Sequence, residues 1–507
     1  MDDVVVVGAG PTGLALAAGL RTVGVRVLDR AAGPAVTSRA LGLQPRGVEV
    51  LDRLGALGDL PDRSLPIEEV VVVADGAPVA RLDLRRPTAL VRRPGLILSQ
   101  VEVEAALRRR LEELGGTITW GWELAGLDRD DRGVTLVSAT GERVRAAWVV
   151  GADGAHSRVR ALAGIGFPGV PVAEGFVLAD VHAVLPAPRT AVTTFLRGDE
   201  MLALFPLPGD GLWRLLATRA PGDHAGREPG RDEVVATLLS GLERVAGLPP
   251  DAVRDVAWAS SFRIHRRLAS SYRSGRVLLA GDAAHVHSPF GGQGMNTGLG
   301  DAENLAWKLA AVVHGRARPD LLDTYGAERR PVAAEVLRST GGMTRVMVGG
   351  SASARLVRDR VVVPVMNRPA VQRRIKDASS QLRLSYRRGP LGAGRSLRTP
   401  RSGDRVPDRP CRRADGTPTR LYGELGGRWV LLDADAAALR TARARLGADA
   451  VVALTGGSDT PPTPGLVRPD GHLACRPDGL DAWLARTLGV PAEAPHTPID
   501  ERATLAR

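Results

Sequence analysis

The sequence predicts an α/β protein in which a parallel sheet carries an inserted antiparallel sheet and is followed by a small α/β domain. The apolar run 4–7 is followed by a glycine-rich turn, a helical pattern over 14–23 and a second apolar run, 25–28. This is a βαβ unit, which implies a parallel sheet. Residues 170–270 hold several strand-like segments, and after residue 420 strand-like and helical segments alternate again.

Composition places the chain among globular proteins, since 44% of its 507 residues are hydrophobic and 24% are charged. No run of 18 apolar residues predicts a membrane span. The chain enters an apolar strand at Val4 without a basic, cleavable leader, which argues against secretion. The two cysteines, Cys411 and Cys475, exclude a disulfide framework. We therefore expect a cytoplasmic protein without a membrane partner.

The net charge of +12 comes from one segment. Residues 351–420 hold 17 Arg and one Lys against five Asp, and the rest of the chain is nearly neutral. This segment has few aromatic side chains on which bases could stack. We expect a solvated, arginine-rich connector and no nucleic-acid partner; salt-sensitive binding of random duplex would indicate the alternative.

The patterns along the chain predict further elements in order. A charged amphipathic helix covers 101–116, and the strands that follow it end at 147–150. The apolar segment 276–280 leads into long helices over 296–313 and 319–345. The predicted domains are 1–170 with 271–345, the inserted sheet 171–270 with part of 65–100, connecting helices and a linker over 346–395, and a C-terminal domain over 396–507.

The first strand is followed directly by a glycine-rich segment that opens a helix, Gly8-Ala9-Gly10-Pro11-Thr12-Gly13. Glycines in this pattern permit a tight turn and close approach of the backbone to a pyrophosphate, while the helix offers N–H donors. An acidic residue about 20 positions on binds a ribose in such sites, and Asp29 stands there. The pattern predicts a dinucleotide site, with a plain glycine-rich turn as the alternative.

A second polar segment follows the strand that ends at Val150, with the sequence Gly151-Ala152-Asp153-Gly154-Ala155-His156-Ser157. A carboxylate at a strand end can bind the ribose of a dinucleotide or order the loop beside it. The alternative is an acidic turn that caps the next helix. The residues alone leave both interpretations open.

A third segment follows the strand at 276–280: Gly281-Asp282-Ala283-Ala284-His285, then Pro289-Phe290-Gly291-Gly292-Gln293-Gly294-Met295-Asn296 before a helix. Asp282 is placed to accept hydrogen bonds from a polyol. The loop amides and the helix dipole suit a developing anion on a flat ring system. No third ligand has suitable spacing from His285 and His287, so we predict structural roles for both and no metal.

In this order the three segments resemble those of the FAD-dependent aromatic hydroxylases, the class A flavoprotein monooxygenases. The resemblance spans about residues 3–345. A C-terminal segment is similar to the extra domain of aromatic polyketide hydroxylases and rifampicin-type monooxygenases: Arg468-Pro469-Asp470-Gly471-His472. The resemblance implies a Rossmann-like FAD-binding domain, an inserted antiparallel-sheet substrate domain and a C-terminal thioredoxin-like domain. Without a C-x-x-C motif, the last domain is expected to be structural.

The resemblance also implies which residues hold FAD. Thr12 should lie beside the pyrophosphate, Asp282 should contact the ribityl chain, and Met295 should contact the isoalloxazine edge. The residues expected to bind FAD are Gly8, Gly10, Pro11, Thr12, Gly13, Asp29, Arg30, Arg39, Gln100, Leu124, Asp153, Ser157, Asp282, Pro289, Gly292, Gly294, Met295 and Asn296.

The activity implied by the resemblance is insertion of one atom of O₂ into a polycyclic aromatic, polyketide-like substrate. NADPH or NADH would act as a transient reductant, and a flavin C4a-hydroperoxide would carry the oxygen. The sequence has no second G-x-G-x-x-G after a strand, which agrees with a nicotinamide that visits only briefly. We expect a monomer or homodimer.

Arg46 lies in the segment 38–46, which resembles the family's flavin-facing stretch. It is the candidate to orient a peroxide or the substrate, and a packing arginine is the alternative. Baeyer–Villiger oxygenation of a polycyclic ketone or quinone by the same intermediate stays open. A flavin halogenase and a pyridine-nucleotide dehydrogenase are less favoured, because the former depends on a different motif and the latter leaves the third segment unexplained.

Overall fold

The computed structural model describes residues 1–38, 40–85, 91, 93–219, 229–287, 292–348, 363–392, 400–457 and 464–489. Two predicted site residues, Arg39 and Pro289, lie outside the described residues. The strands in chain order are β1 (Asp2–Val7), β2 (Val25–Leu28), β3 (Leu41–Leu43), β4 (Glu69–Ala74), β5 (Ala77–Asp83), β6 (Leu96–Ser99), β7 (Thr117–Thr119), β8 (Leu124–Arg129), β9 (Val134–Ser138), β10 (Arg143–Gly151), β11 (Gly169–Ala183), β12 (Ala191–Arg197), β13 (Glu200–Pro206), β14 (Leu212–Thr218), β15 (Val253–Leu268), β16 (Arg273–Ser274), β17 (Val277–Leu279), β18 (His285–Val286), β19 (Pro410–Arg413), β20 (Pro418–Arg420), β21 (Trp429–Leu432), β22 (Val451–Gly456), β23 (Gly465–Val467) and β24 (Leu473–Cys475).

The helices in chain order are α1 (Pro11–Gly19), α2 (Pro45–Leu54), α3 (Leu60–Arg63), α4 (Gln100–Glu113), α5 (Arg158–Leu162), α6 (Arg231–Arg244), α7 (Gly294–Val313), α8 (Asp323–Val348), α9 (Val363–Met366), α10 (Pro369–Ser379), α11 (Leu421–Glu424), α12 (Ala436–Leu446) and α13 (Leu480–Leu488). In the part of the chain that the structure describes, none of them is long and apolar enough to cross a membrane.

Parallel strands form the centre of the first sheet, in the order β17, β10, β1, β2, β7. Val4, Val5 and Val6 of β1 have no exposed surface, as expected for a continuous apolar strand covered on both faces. Helices α1 and α7 pack against each other beside this sheet. Because β1, β10 and β17 are neighbours and parallel, the loops at their carboxyl ends meet at one edge.

The second sheet is mostly antiparallel, in the order β18, β15, β11, β14, β13, β12, β4, β5. Helix α6 covers one face, where Val177, Leu215 and Leu238 are buried. Side chains alternate along a strand, so Arg214 lies on the opposite face. Its guanidinium donates to the carbonyl oxygen of Ser38 at 2.7 Å. That face therefore turns towards the first domain.

The third sheet, near the carboxyl end, has the order β20, β19, β22, β21, β23, β24. Strands β21 and β22 are parallel and joined by α12, and β23 and β24 form an antiparallel hairpin beside β21. Trp429 and Trp483 lie in its core. Trp307 of α7 packs edge-on against Trp429, with 5.1 Å between ring centroids. The C-terminal region therefore docks directly on α7.

Buried charges fasten this region to α7 and α8. Arg468 donates to the two carboxylate oxygens of Glu328 at 2.8 and 2.9 Å, and to Asp470. Lys308 donates to Glu328 at 2.8 Å. All four side chains are buried. Two cations balance two carboxylates, which offsets the cost of removing them from water.

The arginine-rich segment is part of this contact. The side chain of Arg405 is 7% exposed and pairs with Glu49 on α2, and the more exposed Arg420 pairs with Asp52 of the same helix at 3.0 Å. Both partners belong to the first domain, so these two positive charges of the segment are paired within the chain. The expectation of a solvated connector is wrong for the Arg405 side chain, because a carboxylate that is remote in sequence pairs with it inside the protein, whereas Arg420 is exposed as expected.

The buried network makes folding sensitive to acid. Although burial opposes ionisation, Arg468 and Lys308 lower the pKa of Glu328 from 4.5 to about 2. The native state therefore binds this proton less tightly than the unfolded state. The resulting stabilisation, roughly 3 kcal/mol, is present above pH 4.5 and is lost as the pH falls towards 2. We expect Glu328→Gln to flatten the pH dependence of the free energy of unfolding in urea, and parallel curves for variant and wild type would contradict this.

Candidate active site

The three predicted motifs form one continuous surface at the carboxyl edge of the parallel sheet. A Cβ at Gly8 of the first motif would overlap the carbonyl oxygen of Ala152 in the second. The amide of Ala152 donates to the carbonyl oxygen of Val7 at 2.8 Å. A Cβ at Gly281 of the third motif would lie 2.6 Å from Oγ1 of Thr12 in the first. Ligands bind at this edge in α/β folds of this kind.

The glycines of the first motif divide into two that are closely packed and one that faces open space. Gly8 has a φ of +111°, and a Cβ at Gly13 would overlap the carbonyl oxygen of Gly8. At Gly10, no atom lies within 4 Å of the Cβ position. Pro11 then opens α1, where its missing N–H costs nothing. The open side of Gly10 is where a pyrophosphate can approach the backbone.

Asp29 follows β2 and its carboxylate reaches the glycine loop. It accepts hydrogen bonds from the amide of Ala9 at 2.6 Å and from the amide of Ala31 at 2.8 Å. The side chain is partly exposed and Arg30 is exposed. Since a carboxylate can accept about four hydrogen bonds, Asp29 retains capacity for a ribose hydroxyl, and that contact stays a prediction.

Gln100 opens α4 and donates from Nε2 to Glu104 at 2.7 Å. Burial raises the pKa of Glu104, and the carboxylate of Asp29 raises it further, so the side chains of Gln100, Glu104 and Asp29 lie near one another.

Leu124 begins β8 with a buried side chain. A cofactor contact at Leu124 would therefore involve its backbone.

Asp153 caps helix α5. Its carboxylate accepts hydrogen bonds from the amides of Arg158 at 2.7 Å and Val159 at 3.0 Å, and from Oγ of Ser157 at 2.5 Å. Ser157 in turn accepts from the amide of Arg160 at 2.9 Å. Of the two interpretations left open by the sequence, these bonds favour the cap, and direct contact of Asp153 with FAD stays a prediction.

The Gly281 turn packs against Thr12, and so does α7, because a Cβ at Gly298 would overlap Oγ1 of Thr12. Asp282 in this turn is exposed to solvent. Enclosure by protein raises the pKa of Asp282, and the nearby carboxylate of Asp301 adds to this effect. Asp282 is thus available to accept hydrogen bonds from a polyol, which Asp153 is less able to do.

His285 has a structural partner. The ring is buried, and its Nε2–H donates to Asp301 at 2.7 Å. The ring of His287 is stacked 6.4 Å from it. Among the described residues, no group of three or more His, Cys, Asp and Glu side chains is placed to hold a metal ion.

Helix α7 begins at Gly294, so Met295 and Asn296 lie in its first turn. Amides in a first turn have no intrahelical partner, and the helix dipole makes this end positive. The side chain of Asn296 is buried and used internally: Oδ1 accepts from the amide of Gln44, and Nδ2 donates to the carbonyl oxygen of Gly292, both at 2.8 Å. A flavin contact at Asn296 would therefore come from its backbone amide.

Arg46, the candidate to orient peroxide or substrate, is 4% exposed and lies at the contact with the C-terminal region. Its guanidinium donates to the carbonyl oxygen of Asp470 at 3.0 Å. It also pairs with Glu303 at 3.4 Å and with Glu49 at 3.6 Å. This placement favours the packing role, and a role in orientation stays a prediction.

Removal of this guanidinium should therefore affect stability before chemistry. We expect Arg46→Met to lower the free energy of unfolding by roughly 1–3 kcal/mol, because Arg53 still pairs with Glu303. For the activity that the resemblance implies, the ratio of product formed to NAD(P)H consumed should stay at the wild-type value. A variant of unchanged stability that consumes NAD(P)H without forming product would instead support the orienting role.

The face of the second sheet opposite α6 forms a wall of register-matched side chains. One row across the strands consists of Trp258, Asp180, Arg214 and Phe205, and the next of Ser260, Leu178, Leu216 and Ala203. Arg214 donates to Asp180 at 2.7 Å. Because Arg214 also donates a hydrogen bond to the carbonyl oxygen of Ser38, the wall adjoins the segment 38–46 that was predicted to face a flavin.

Sequence reasoning missed three buried charges at this site: Arg214, Asp301 and Arg329. Asp301 stands among apolar residues in a helical pattern, and a carboxylate there needs a buried partner; that signal was present. The alternation around Arg214, between Trp213 and Leu215, is equally typical of a solvent-facing arginine. Nothing local distinguishes Arg329 from its neighbours.

Comparison with known proteins decides the family. The sequence profile of the family described as "FAD binding domain" matches residues 1–340 of the chain. The chain belongs to this FAD-binding family. A second profile, described as "Aromatic-ring hydroxylase, C-terminal", matches residues 399–496. The chain is thus an FAD-dependent oxidoreductase of the kind that the three motifs resemble.

Relatives of this flavoprotein are similar over most or nearly all of its length. The 6-methylpretetramide 4-monooxygenase of Streptomyces rimosus is 38% identical over 77% of this chain and 71% of its own. The rifampicin monooxygenase of Streptomyces venezuelae is 37% identical over 96% and 98%. The solved anhydrotetracycline hydroxylase from Streptomyces rimosus superposes with a TM-score of 0.81 at 34% identity, covering 97% and 99% of the two chains.

The residues at the strand ends fit FAD, the cofactor of this flavoprotein. The open side of Gly10 and the start of α1 offer amides to a pyrophosphate. Asp29 and the accessible Asp282 offer carboxylates to hydroxyl groups. The first turn of α7 offers unpaired amides to a ring edge.

Proposed function

We propose that this flavoprotein uses NAD(P)H and O₂ to insert one oxygen atom into a polycyclic aromatic, polyketide-like substrate. The observation that carries the proposal is the position of the wall of the second sheet. Arg214 of this wall donates to the carbonyl oxygen of Ser38, so the wall lies beside the segment 38–46 that we predict to face FAD. A wall with Trp258, Phe205 and Leu216 suits a flat, apolar ring system. Relatives named for the oxygenation of pretetramide and rifampicin support this substrate class.

When bound, FAD supplies the redox chemistry, taking electrons from NAD(P)H and activating O₂. The residues of the chain bind, orient and shield. Amides around Gly10 would hold the pyrophosphate, and Asp282 would accept hydrogen bonds from the ribityl hydroxyls. The amides of Met295 and Asn296, with the dipole of α7, would stabilise negative charge on the flavin ring. The apolar side chains of the wall would exclude water from the ring system, which would strengthen these interactions.

We also propose that residues 396–507 form a thioredoxin-like domain with a structural role. Support comes from the parallel pair β21 and β22 joined by α12, the hairpin β23–β24 and the final helix α13. Burial raises the pKa of Cys411 to about 11 and that of Cys475 to about 12. Both thiols therefore stay protonated and poorly reactive at neutral pH.

The proposed activity is tested with the holoenzyme, NADPH or NADH, and a panel of polycyclic phenols and quinones. The measured quantities are NAD(P)H oxidation, peroxide release and product mass, with free FAD as the control for uncatalysed oxidation. A compound that accelerates oxidation and gains one oxygen supports the proposal. Its product structure separates ring hydroxylation from Baeyer–Villiger oxygenation. Failure of NAD(P)H to reduce the bound flavin would contradict the proposed activity.

A further inference from the structure

A buried carboxylate on α7 holds the third motif in place. Asp301 has no exposed surface. Its Oδ2 accepts hydrogen bonds from the amide of Gly281 at 3.1 Å and from Nε2 of His285 at 2.7 Å, and its Oδ1 accepts from Nε of Arg329 at 2.7 Å. Arg329 and His285 keep the pKa of Asp301 low despite its burial. The backbone before Asp282 is thus bonded to an ionised side chain of the helix that follows.

The guanidinium of Arg329 extends this arrangement to the amino end of α7. One of its N–H groups donates to the carbonyl oxygen of Thr297 at 2.9 Å, and another to the hydroxyl of Tyr386 at 3.0 Å. Gly300 gives the guanidinium room, because a Cβ there would lie 2.9 Å from it. Arg329 therefore fastens the start of α7 to α8 and to the connecting segment.

The connecting segment is held in turn by the C-terminal region. The ring of Tyr386 packs on the ring of His472, with 4.4 Å between centroids, and the guanidinium of Arg468 lies 5.2 Å from the ring centroid of Tyr386. The contacts Gly281–Asp301–Arg329–Tyr386–His472 thus run without a gap from the third motif to the C-terminal sheet. All five residues are buried.

We propose that Asp301 and Arg329 are positioning residues for FAD. They fix the distance between the Gly281 turn, which presents Asp282, and the first turn of α7, which presents its amides. Neither side chain needs to touch the cofactor. The proposal rests on the assignment of these two segments as FAD-facing. It does not depend on the substrate or the oxygenation step, so its failure is distinguishable from failure of the proposed activity.

The same two helices supply a matched control. Glu328 is next to Arg329 on α8, and it also joins α7 through buried, charge-assisted hydrogen bonds, to Lys308 and Asn304 at 2.8 Å. Those bonds lie further along α7 and face the C-terminal region. Asp301→Asn and Glu328→Gln each remove one buried negative charge without changing shape. Only Asp301→Asn disturbs the hydrogen bonds that hold the Gly281 turn, because the new side-chain N–H group cannot accept from the donors that Asp301 binds.

The experiment compares the two variants by FAD titration of the apoprotein, the visible spectrum of the bound flavin and thermal unfolding. Both variants should unfold at a lower temperature. Asp301→Asn alone should raise the Kd for FAD at least tenfold and shift the flavin absorption bands, while Glu328→Gln keeps the Kd within about twofold of wild type.

Two results would overturn the proposal: an unchanged Kd and spectrum in Asp301→Asn, or an equal rise of Kd in both variants, which would indicate a general loss of stability. If Asp301→Asn does not fold, Arg329→Lys replaces it. This variant keeps the positive charge but loses the fork that reaches Thr297 and Tyr386. It should raise the Kd severalfold and shift the spectrum, and a wild-type Kd would overturn the proposal.

Discussion

Replacing Gly8 with alanine is expected to abolish FAD incorporation, whereas Gly10→Ala should weaken FAD binding and leave the apoprotein intact. At Gly8 the φ of +111° is strained for any side chain, and the added Cβ would overlap the carbonyl oxygen of Ala152. Relieving this overlap moves the first and second motifs apart, at a cost of roughly 3 kcal/mol or more. At Gly10 the added methyl group meets no protein atom and enters the space that we propose for the pyrophosphate.

The measurements are bound FAD per chain, the Kd for FAD and the free energy of unfolding of the apoprotein. For Gly10→Ala we expect a Kd at least tenfold higher, with a free energy of unfolding within roughly 0.5 kcal/mol of wild type. A Gly10→Ala variant with wild-type affinity for FAD would show that the cofactor does not approach this loop. That result would contradict the assignment of the phosphate site.

Removal of the Arg468 guanidinium should give the largest loss of stability among the charged residues of the C-terminal region. Arg468→Met leaves Glu328 and Asp470 buried without their shared partner. Breaking a buried ion pair from one side costs roughly 3–5 kcal/mol. We expect the C-terminal region to undock first, because Arg468 is its main bond to α8.

Thermal unfolding and limited proteolysis test this prediction. The variant should unfold at a lower temperature and release the C-terminal region at low protease concentrations. Arg145→Met is the control, since the Arg145–Asp130 pair lies in solvent and such pairs contribute little. If both variants were equally stable, the buried network would not hold the two regions together.

The dinucleotide motif was predictable because its causes are local. A buried strand, a glycine turn and a helix that opens at Pro11 are all specified within residues 2–19. The adjacency of the three motifs follows from the parallel order of β1, β10 and β17. It was not predictable that Asp153 is used to cap a helix whereas Asp282 stays exposed. A carboxylate is used as a cap only where the next helix begins close enough for its first amides to donate to it, as those of α5 do to Asp153.

The role of Arg46 could not be predicted, because its partners are remote in sequence. Glu303 lies 257 positions away and Asp470 lies 424 positions away, so no local pattern shows the direction of the guanidinium. The arginine-rich segment posed the same difficulty, since Arg405 pairs with Glu49 at a separation of 356 residues. In both cases tertiary contacts convert an expected surface or site arginine into a buried one.

The most direct test of the proposed oxygenation is the isotopic composition of the product formed under ¹⁸O₂. The holoenzyme is supplied with NADPH and a polycyclic phenol that accelerates NADPH oxidation. We predict a product that carries one ¹⁸O atom, because the proposed function has the wall of the second sheet hold an aromatic ring beside the FAD and takes the inserted oxygen from O₂. A product whose added oxygen comes from water, or consumption of NADPH that yields only peroxide with every compound, would contradict the account.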